Sequence, residues 1–416
     1  MKAAVFYGPH DVRLEDVPEP EIRDGSVKVK VDWCGICGTD LHEYLAGPIF
    51  IPPQGSPHPI TGETLPLTLG HEFAGEVVEV GNDVDGVSAG DMVAIEPVFR
   101  CGECAACRRG ATNLCEKLGF YGLMGGGGGM SEFAVMPSYM IHQLPEGLTS
   151  EQGALVEPIA VGLRAVRRAG FREGQSALVF GGGPIGAVTV QCLKAAGAGQ
   201  IMVAELSEAR KKKALDIGAD AVIDPREEDV VERVKELTDG EGVEHSFDAA
   251  GIQVTLETAL HATRKGGTVT IISIWEGPVQ INPNDIVLSE LNVVGTICYT
   301  PEDFADTIAM LKDGSIETEG IITERIPLSD VVKGGFDELV DHKDRHIGIL
   351  VNSPGQRRRP SSVAFCGGAR RRETRVSFIR PFRQILVEIS ASSRRGSRLC
   401  TSWASRRPCP SSWRRG

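Results

Sequence analysis

A chain of 416 residues with 41% hydrophobic content is long enough for two or three domains with buried cores, which excludes a wholly disordered protein. No run of about eighteen apolar residues is present, and the start "MKAAVFYGPHDVRLEDV" lacks a cationic and apolar leader, so a cytoplasmic protein without membrane contact is expected. The net charge of -12 divides unevenly: residues 353–416 hold sixteen Arg, no Lys or Asp and two Glu, a net of +14, and the preceding body therefore carries -26. That body would repel nucleic acid and anionic membranes; it suits a salt-rich cytoplasm, where screening removes self-repulsion, or an ordinary acidic enzyme.

Residues 1–100 read as short strands between turns: "KAAVFYG", "SVKVKVDWCG", "EFAGEVVEVG" and "GDMVAIEP" carry β-branched or alternating apolar residues punctuated by Gly, Asp and Pro. An irregular, mostly β domain is expected over 1–159. From 160 to 301 strands alternate with helical patterns. "SALVFGGG", "QIMVAEL", "SFDAAG" and "TVTIISI" read as strands, and "IGAVTVQCLKAAGA", "SEARKKKALDIGA" and "VTLETALHATRKGG" as helices. Such alternation predicts an α/β domain with a doubly wound parallel sheet. A last helix, "PEDFADTIAMLKDG", precedes the apolar "HIGILV", and residues 302–352 are expected to complete the first domain.

Within the β region, "CGECAACRRGATNLC" places Cys101, Cys104, Cys107 and Cys115 in the pattern C-x2-C-x2-C-x7-C. One loop with that spacing wraps four thiolates around a single ion, and a site filled by four protein ligands holds a structure rather than doing chemistry. An iron–sulfur cluster and a redox disulfide are the alternatives.

Cys37, Thr39 and His42 in "CGICGTDLHEY", His71 and Glu72 in "LGHEFAG", and Glu157 in "LVEPIAVG" are each weak signals when taken bare. Their company raises them. "SALVFGGGPIGAVTV" sets Gly181, Gly183 and Gly186 in a G-x-G-x-x-G turn between a strand and a helix, with Ile185 inside it. A dinucleotide pyrophosphate needs that tight turn, close backbone approach and helix N-terminus. Glu205 ends the next strand nineteen residues beyond Gly186, where an acid accepts ribose hydroxyls and repels a 2′-phosphate, favouring NAD.

With these motifs together, the sequence from Met1 to about Asn352 resembles the zinc-dependent medium-chain alcohol dehydrogenase family. "GPIFIPPQGSPHPITGETLPLTLGHEF", "YGLMGGGGGMSEF" and "NDIVLSELNVVGTICY" are most similar to its 2,3-butanediol (acetoin) dehydrogenase branch, with sorbitol-type polyol dehydrogenases next. The resemblance implies a GroES-like catalytic domain, a Rossmann coenzyme domain, NAD, and two zinc ions per chain. It implies Cys37, His71 and Glu157 as catalytic zinc ligands, Glu72 as a neighbouring or alternate ligand, and the four-cysteine loop as structural zinc. It further implies Gly181 to Gly186, Glu205 and Arg210 as NAD contacts, Arg210 near the adenine, and Thr39 and His42 as a proton relay. The substrate implied is a vicinal diol or hydroxyketone, and the assembly a homodimer or homotetramer. Arg164 stands where relatives often carry His, and the glycine run Gly125 to Gly129 is expected either to line the cleft or to form a plain loop.

The Arg-rich tail 353–416 lies outside the resemblance and has too few periodic apolar residues for a core, so disorder is expected. Its composition is that of a GC-rich gene translated out of frame. The alternative is a basic nucleic-acid-binding arm with Trp403 and Trp413 as stacking groups on a nonenzymatic shell.

Overall fold

Runs from the N-terminal part and two strands from beyond residue 320 build one seven-stranded sheet, while Lys2–Gly8, Asp11–Asp16 and Leu67–Thr68 form a separate three-stranded one. The order of the larger sheet is Ile141–Gln143, Met92–Ile95, Glu72–Val80, Ser26–Gly35, Gly348–Asn352 and Ile322–Pro327, with Phe133–Pro137 also paired to Ser26–Gly35. This computed structural model describes residues 1–275 and 277–353, so the expectations for the tail beyond Ser353 lie outside the described residues. Alternation fixes which face is buried: Val27, Val29 and Val31 are 0–2% exposed. Each such side chain contributes about 1.5–3 kcal/mol on burial. The strand Gly348–Asn352 returns from the far end of the sequence to pair antiparallel with Trp33, Cys34 and Gly35, beside Cys37.

Between these passages the chain builds a six-stranded parallel sheet. Its spatial order is Ala221–Ile223, Gln200–Ala204, Ser176–Phe180, Val243–Asp248, Thr263–Ile271 and Asn292–Gly295. In chain order that is 3-2-1-4-5-6, the dinucleotide-binding arrangement of a doubly wound sheet. Ala177, Leu178, Val179 and Phe180 are all buried, as a strand covered on both faces requires.

Two elements depart from the sequence reading. The helix expected over "VTLETALHATRKGG" stops at Ala262, and Thr263 already begins the next strand. Gly266, with a φ of +74°, and Gly267 admit an irregular register there that a helical count overlooks. Conversely, Val156–Arg168 is a 13-residue helix that Pro158 conceals; it sits in the first turn, where its missing N–H costs no hydrogen bond. This helix packs on Pro184–Ala195, and a Cβ on Gly162 would lie 3.1 Å from the Val188 backbone. The acidic residue in its first turn is Glu157.

Candidate active site

A cleft of about 370 Å³ runs from Cys37, His71, Glu72 and Glu157 at one end to Gly183, Pro184 and Ile185 at the other. Its walls are mostly apolar, including Ile36, Phe50, Phe120, Leu123, Leu155 and Ile297. Thr39 and His42 also face it.

Local structure aims each donor. Cys37 is the extended N-cap of the helix Gly38–Ala46, its N–H donating to Asp40 Oδ2 at 3.0 Å. Its Sγ lies 3.7 Å from Thr39 Oγ1. Glu72 opens the strand Glu72–Val80 opposite Gly35, where any side chain would collide with the Glu72 carboxylate. Donor atoms of Cys37, His71 and Glu72 all lie within 4.8 Å of one another. Glu157 faces the same cleft but stands outside that group. Two carboxylates thus stand at this end of the cleft, Glu72 adjoining His71 on one backbone and Glu157 arriving from a separate helix.

Electrostatics show what this end of the cleft lacks. Burial, with the charge of Glu72 next in weight, pushes the Cys37 thiol up to about 12. Burial and then the charge of Glu157 push Glu72 up to about 8. Burial raises Glu157 as well. His71 is pulled down by burial, yet Asp40 and Cys37 outweigh that and hold it well above the usual imidazole range. His71 Nδ1 and Asp40 Oδ1 face each other at 3.5 Å, both buried and neither with a hydrogen-bond partner. A thiol, an imidazole and two carboxylates gathered there are all pushed toward their protonated forms, and a divalent cation of borderline softness fits that donor set in place of the protons. Asp40 escaped the sequence reading; its signal was only an acid three residues after Cys37, which looks like ordinary helix capping.

The other cysteines form a second cluster. Sγ separations are 3.5 Å for Cys101 to Cys115 and 4.0 Å for both Cys101 to Cys107 and Cys104 to Cys115. All four cysteines are unpaired, and their mutual separations suit the ligands of one ion. A tetrahedron with metal–sulfur arms of about 2.3 Å has edges of about 3.8 Å, so the cage fits one ion and leaves no room for a cluster of irons. Backbone N–H groups of Cys107 and Glu116 bring the Cys104 thiol down to about 6. Asn113, buried within the lobe, donates to Ile297 O at 3.0 Å. The lobe thus props a residue of the cleft wall.

At the far end, Gly181 adopts a φ of +91° and donates its N–H to Ala204 O. A Cβ on Gly186 would overlap the Gly181 carbonyl oxygen. Gly186→Ala should therefore distort the turn and weaken coenzyme binding by about ten-fold or more; an unchanged affinity by calorimetry would contradict this. Glu205 accepts from the N–H groups of Gly182, Leu206 and Ser207 at 2.6, 2.7 and 2.7 Å, which fixes its carboxylate beside the turn. Arg210 lies against the same turn but is bonded to the carbonyls of Lys343 and His346.

Two open points of the sequence are placed by the fold. The glycine run 125–129 does not line the cleft: it packs on Tyr121, Phe99 and Phe73 and on the Thr68–Leu69 backbone, where side chains would collide. Arg164 likewise stands outside the cleft and pairs with Asp303 at 3.5 Å. Cleft residues that sequence patterns missed include Phe50, Phe120, Leu123 and Cys298, since an isolated apolar residue gives no periodic signal of facing a cavity.

Comparison with known proteins follows the same outline. Residues 23–146 match the family described as "Alcohol dehydrogenase GroES-like domain", and residues 184–313 match "Zinc-binding dehydrogenase". The (R,R)-butanediol dehydrogenase of Bacillus subtilis is 46% identical over 352 residues, 84% of this chain and 99% of that protein. A crystal structure of 2R,3R-butanediol dehydrogenase from Bacillus subtilis superposes with a TM-score of 0.80 at 46% identity, covering 84% of this chain and 99% of that one. A zinc-binding dehydrogenase of Sinorhizobium meliloti 1021 was solved with NADP (30% identity, TM-score 0.74, coverage 84% and 98%). An alcohol dehydrogenase of Escherichia coli CFT073 was solved with NADH (27%, 0.76, 85% and 99%). No helix among the described residues is long and apolar enough to cross a membrane. With a GroES-like half, a parallel dinucleotide sheet and a thiol–imidazole–carboxylate cluster between them, the chain belongs to the zinc-binding alcohol dehydrogenase family, oxidoreductases of CH–OH groups that work with zinc and a nicotinamide dinucleotide.

Proposed function

We propose that this chain interconverts 2,3-butanediol and acetoin, with NAD as hydride carrier, one catalytic and one structural zinc per chain. The observation that carries the reading is the Cys37–His71–Glu72 cluster at the end of an otherwise apolar cleft whose other end is a dinucleotide turn. Cys37, His71 and Glu157 would hold the catalytic ion, with Glu72, adjacent to His71, as its neighbour or alternate ligand. Bound zinc supplies Lewis acidity toward the alcohol or ketone oxygen, and bound NAD takes up the hydride. The protein's own part is to hold and exclude. Asp40 orients His71, as a carboxylate does for a ligating imidazole. Phe50, Phe120 and Leu123 keep water from the reacting carbon. Thr39 and His42 are the protic side chains beside Cys37, placed to carry the substrate proton outward.

The apolar walls favour a diol with terminal methyl groups over a polyol, whose extra hydroxyls would find few partners there. Glu205, 8% exposed, disfavours a 2′-phosphate and hence NADP. The catalytic unit would span 1–159 and 302–352, and the coenzyme unit 160–301, in a cytoplasmic homodimer or homotetramer. The edge strand Asn292–Gly295, preceded by exposed Val287 and Leu288, supports self-association.

The test is NAD reduction at 340 nm with each 2,3-butanediol stereoisomer, sorbitol and ethanol, at low and high salt, before and after chelation. Chelator-sensitive turnover fastest on one butanediol isomer is expected. Turnover of sorbitol alone would reassign the substrate, and a high-salt optimum would tie the acidic body to its solvent.

A further inference from the structure

Resting on the dinucleotide reading above, one charge is left unassigned. A pyrophosphate brings two negative charges to the Gly181–Gly186 turn, yet no Lys or Arg lines the cleft among the described residues; Gly38 and Gly348 stand on its catalytic side. The helix at the turn begins with Pro184, which has no N–H to offer.

Arg210 is the guanidinium within reach. A Cβ built on Gly183 would lie 3.7 Å from its Nη1 and 3.9 Å from its Cζ. Its neighbours are already neutralised, Lys211 and Arg226 sitting 2.7 and 2.6 Å from Asp224. Arg210 instead donates to neutral acceptors: Nη2 to Lys343 O at 2.7 Å and His346 O at 3.4 Å. Among the described residues its one ion-pair partner, exposed Asp344, is 4.0 Å away, and its Nε is buried without a partner. The turn it holds leads directly into Ile347 and Gly348 of the cleft wall. We propose that Arg210 neutralises the coenzyme pyrophosphate, rather than stacking on the adenine, while remaining bonded to the 343–346 turn. It thereby ties the coenzyme to the strand that closes the cleft.

The test is direct binding to the zinc-loaded full chain, using NADH fluorescence and competition by ADP-ribose, ADP and adenosine. In Arg210→Gln, affinity for NADH, ADP-ribose and ADP should fall by about ten-fold or more and that for adenosine by less than about two-fold, because charge-assisted bonds go to phosphate. Arg210→Lys should restore part of the phosphate-dependent loss. The ratio of ADP-ribose to adenosine affinity within each variant separates this effect from any general loosening of the fold. Equal weakening of adenosine and ADP-ribose would return Arg210 to the adenine, and unchanged affinities would leave it a tether between segments; either overturns the proposal. Wild-type protein that binds none of the four would sink the dinucleotide reading itself.

Discussion

With His71 replaced by alanine, turnover is expected to fall by about a thousand-fold or more, because metal-ion polarisation contributes several kcal/mol and each ~1.4 kcal/mol is a factor of ten. The variant should bind one metal per chain instead of two, with its melting temperature little changed. The cause is local: His71 is the only nitrogen in the cluster, and its loss leaves Cys37, Glu72 and Glu157 as a buried set of like charges that would take up protons rather than hold an ion. Asp40→Asn grades the same effect. It keeps the shape and the bond to the Cys37 N–H but removes the negative charge facing His71 Nδ1, and a loss of about 10–100-fold in metal affinity or activity is expected. Retention of two metals and normal turnover in His71→Ala would move the chemistry away from this cluster.

Cys104→Ser should act through stability first. It removes one corner of a cage whose edges match a single tetrahedral ion, and such ions contribute folding free energy directly. A fall in melting temperature of roughly 5–10 °C is expected, with one metal retained per chain. Coenzyme affinity should also fall, since Asn113 in the lobe holds the Ile297 carbonyl at the cleft wall. Asn113→Ala, which leaves every cysteine in place, should reproduce the coenzyme effect without the loss of metal. Scanning calorimetry and metal analysis of the two variants separate the contributions; an unchanged melting temperature in Cys104→Ser would show that the lobe is not held by an ion.

The sequence by itself determined whatever depends on neighbours along the chain. The four cysteines close their cage within fifteen residues, and the glycine turn, its helix and Glu205 follow a strand and helix rhythm that hydrophobic periodicity reveals. Cys37 and His71 were legible as residue types in motifs. That two carboxylates reach the same cleft end was not, because Glu72 and Glu157 are eighty-five positions apart and only the packing of Val156–Arg168 brings Glu157 there. The helix carrying Glu157 was itself hidden by Pro158. The glycine run could be read as a cleft lining or as a plain loop, and its packing against Tyr121 and Phe73 comes only from the fold. Arg210 was legible only through the resemblance, as a coenzyme contact near the adenine; its carbonyl partners in residues 343–346 and its place beside Gly183 come from the fold. Local chemistry follows from local sequence, whereas side chains meeting across a cleft are brought together by long-range contacts whose positions no spacing along the chain encodes.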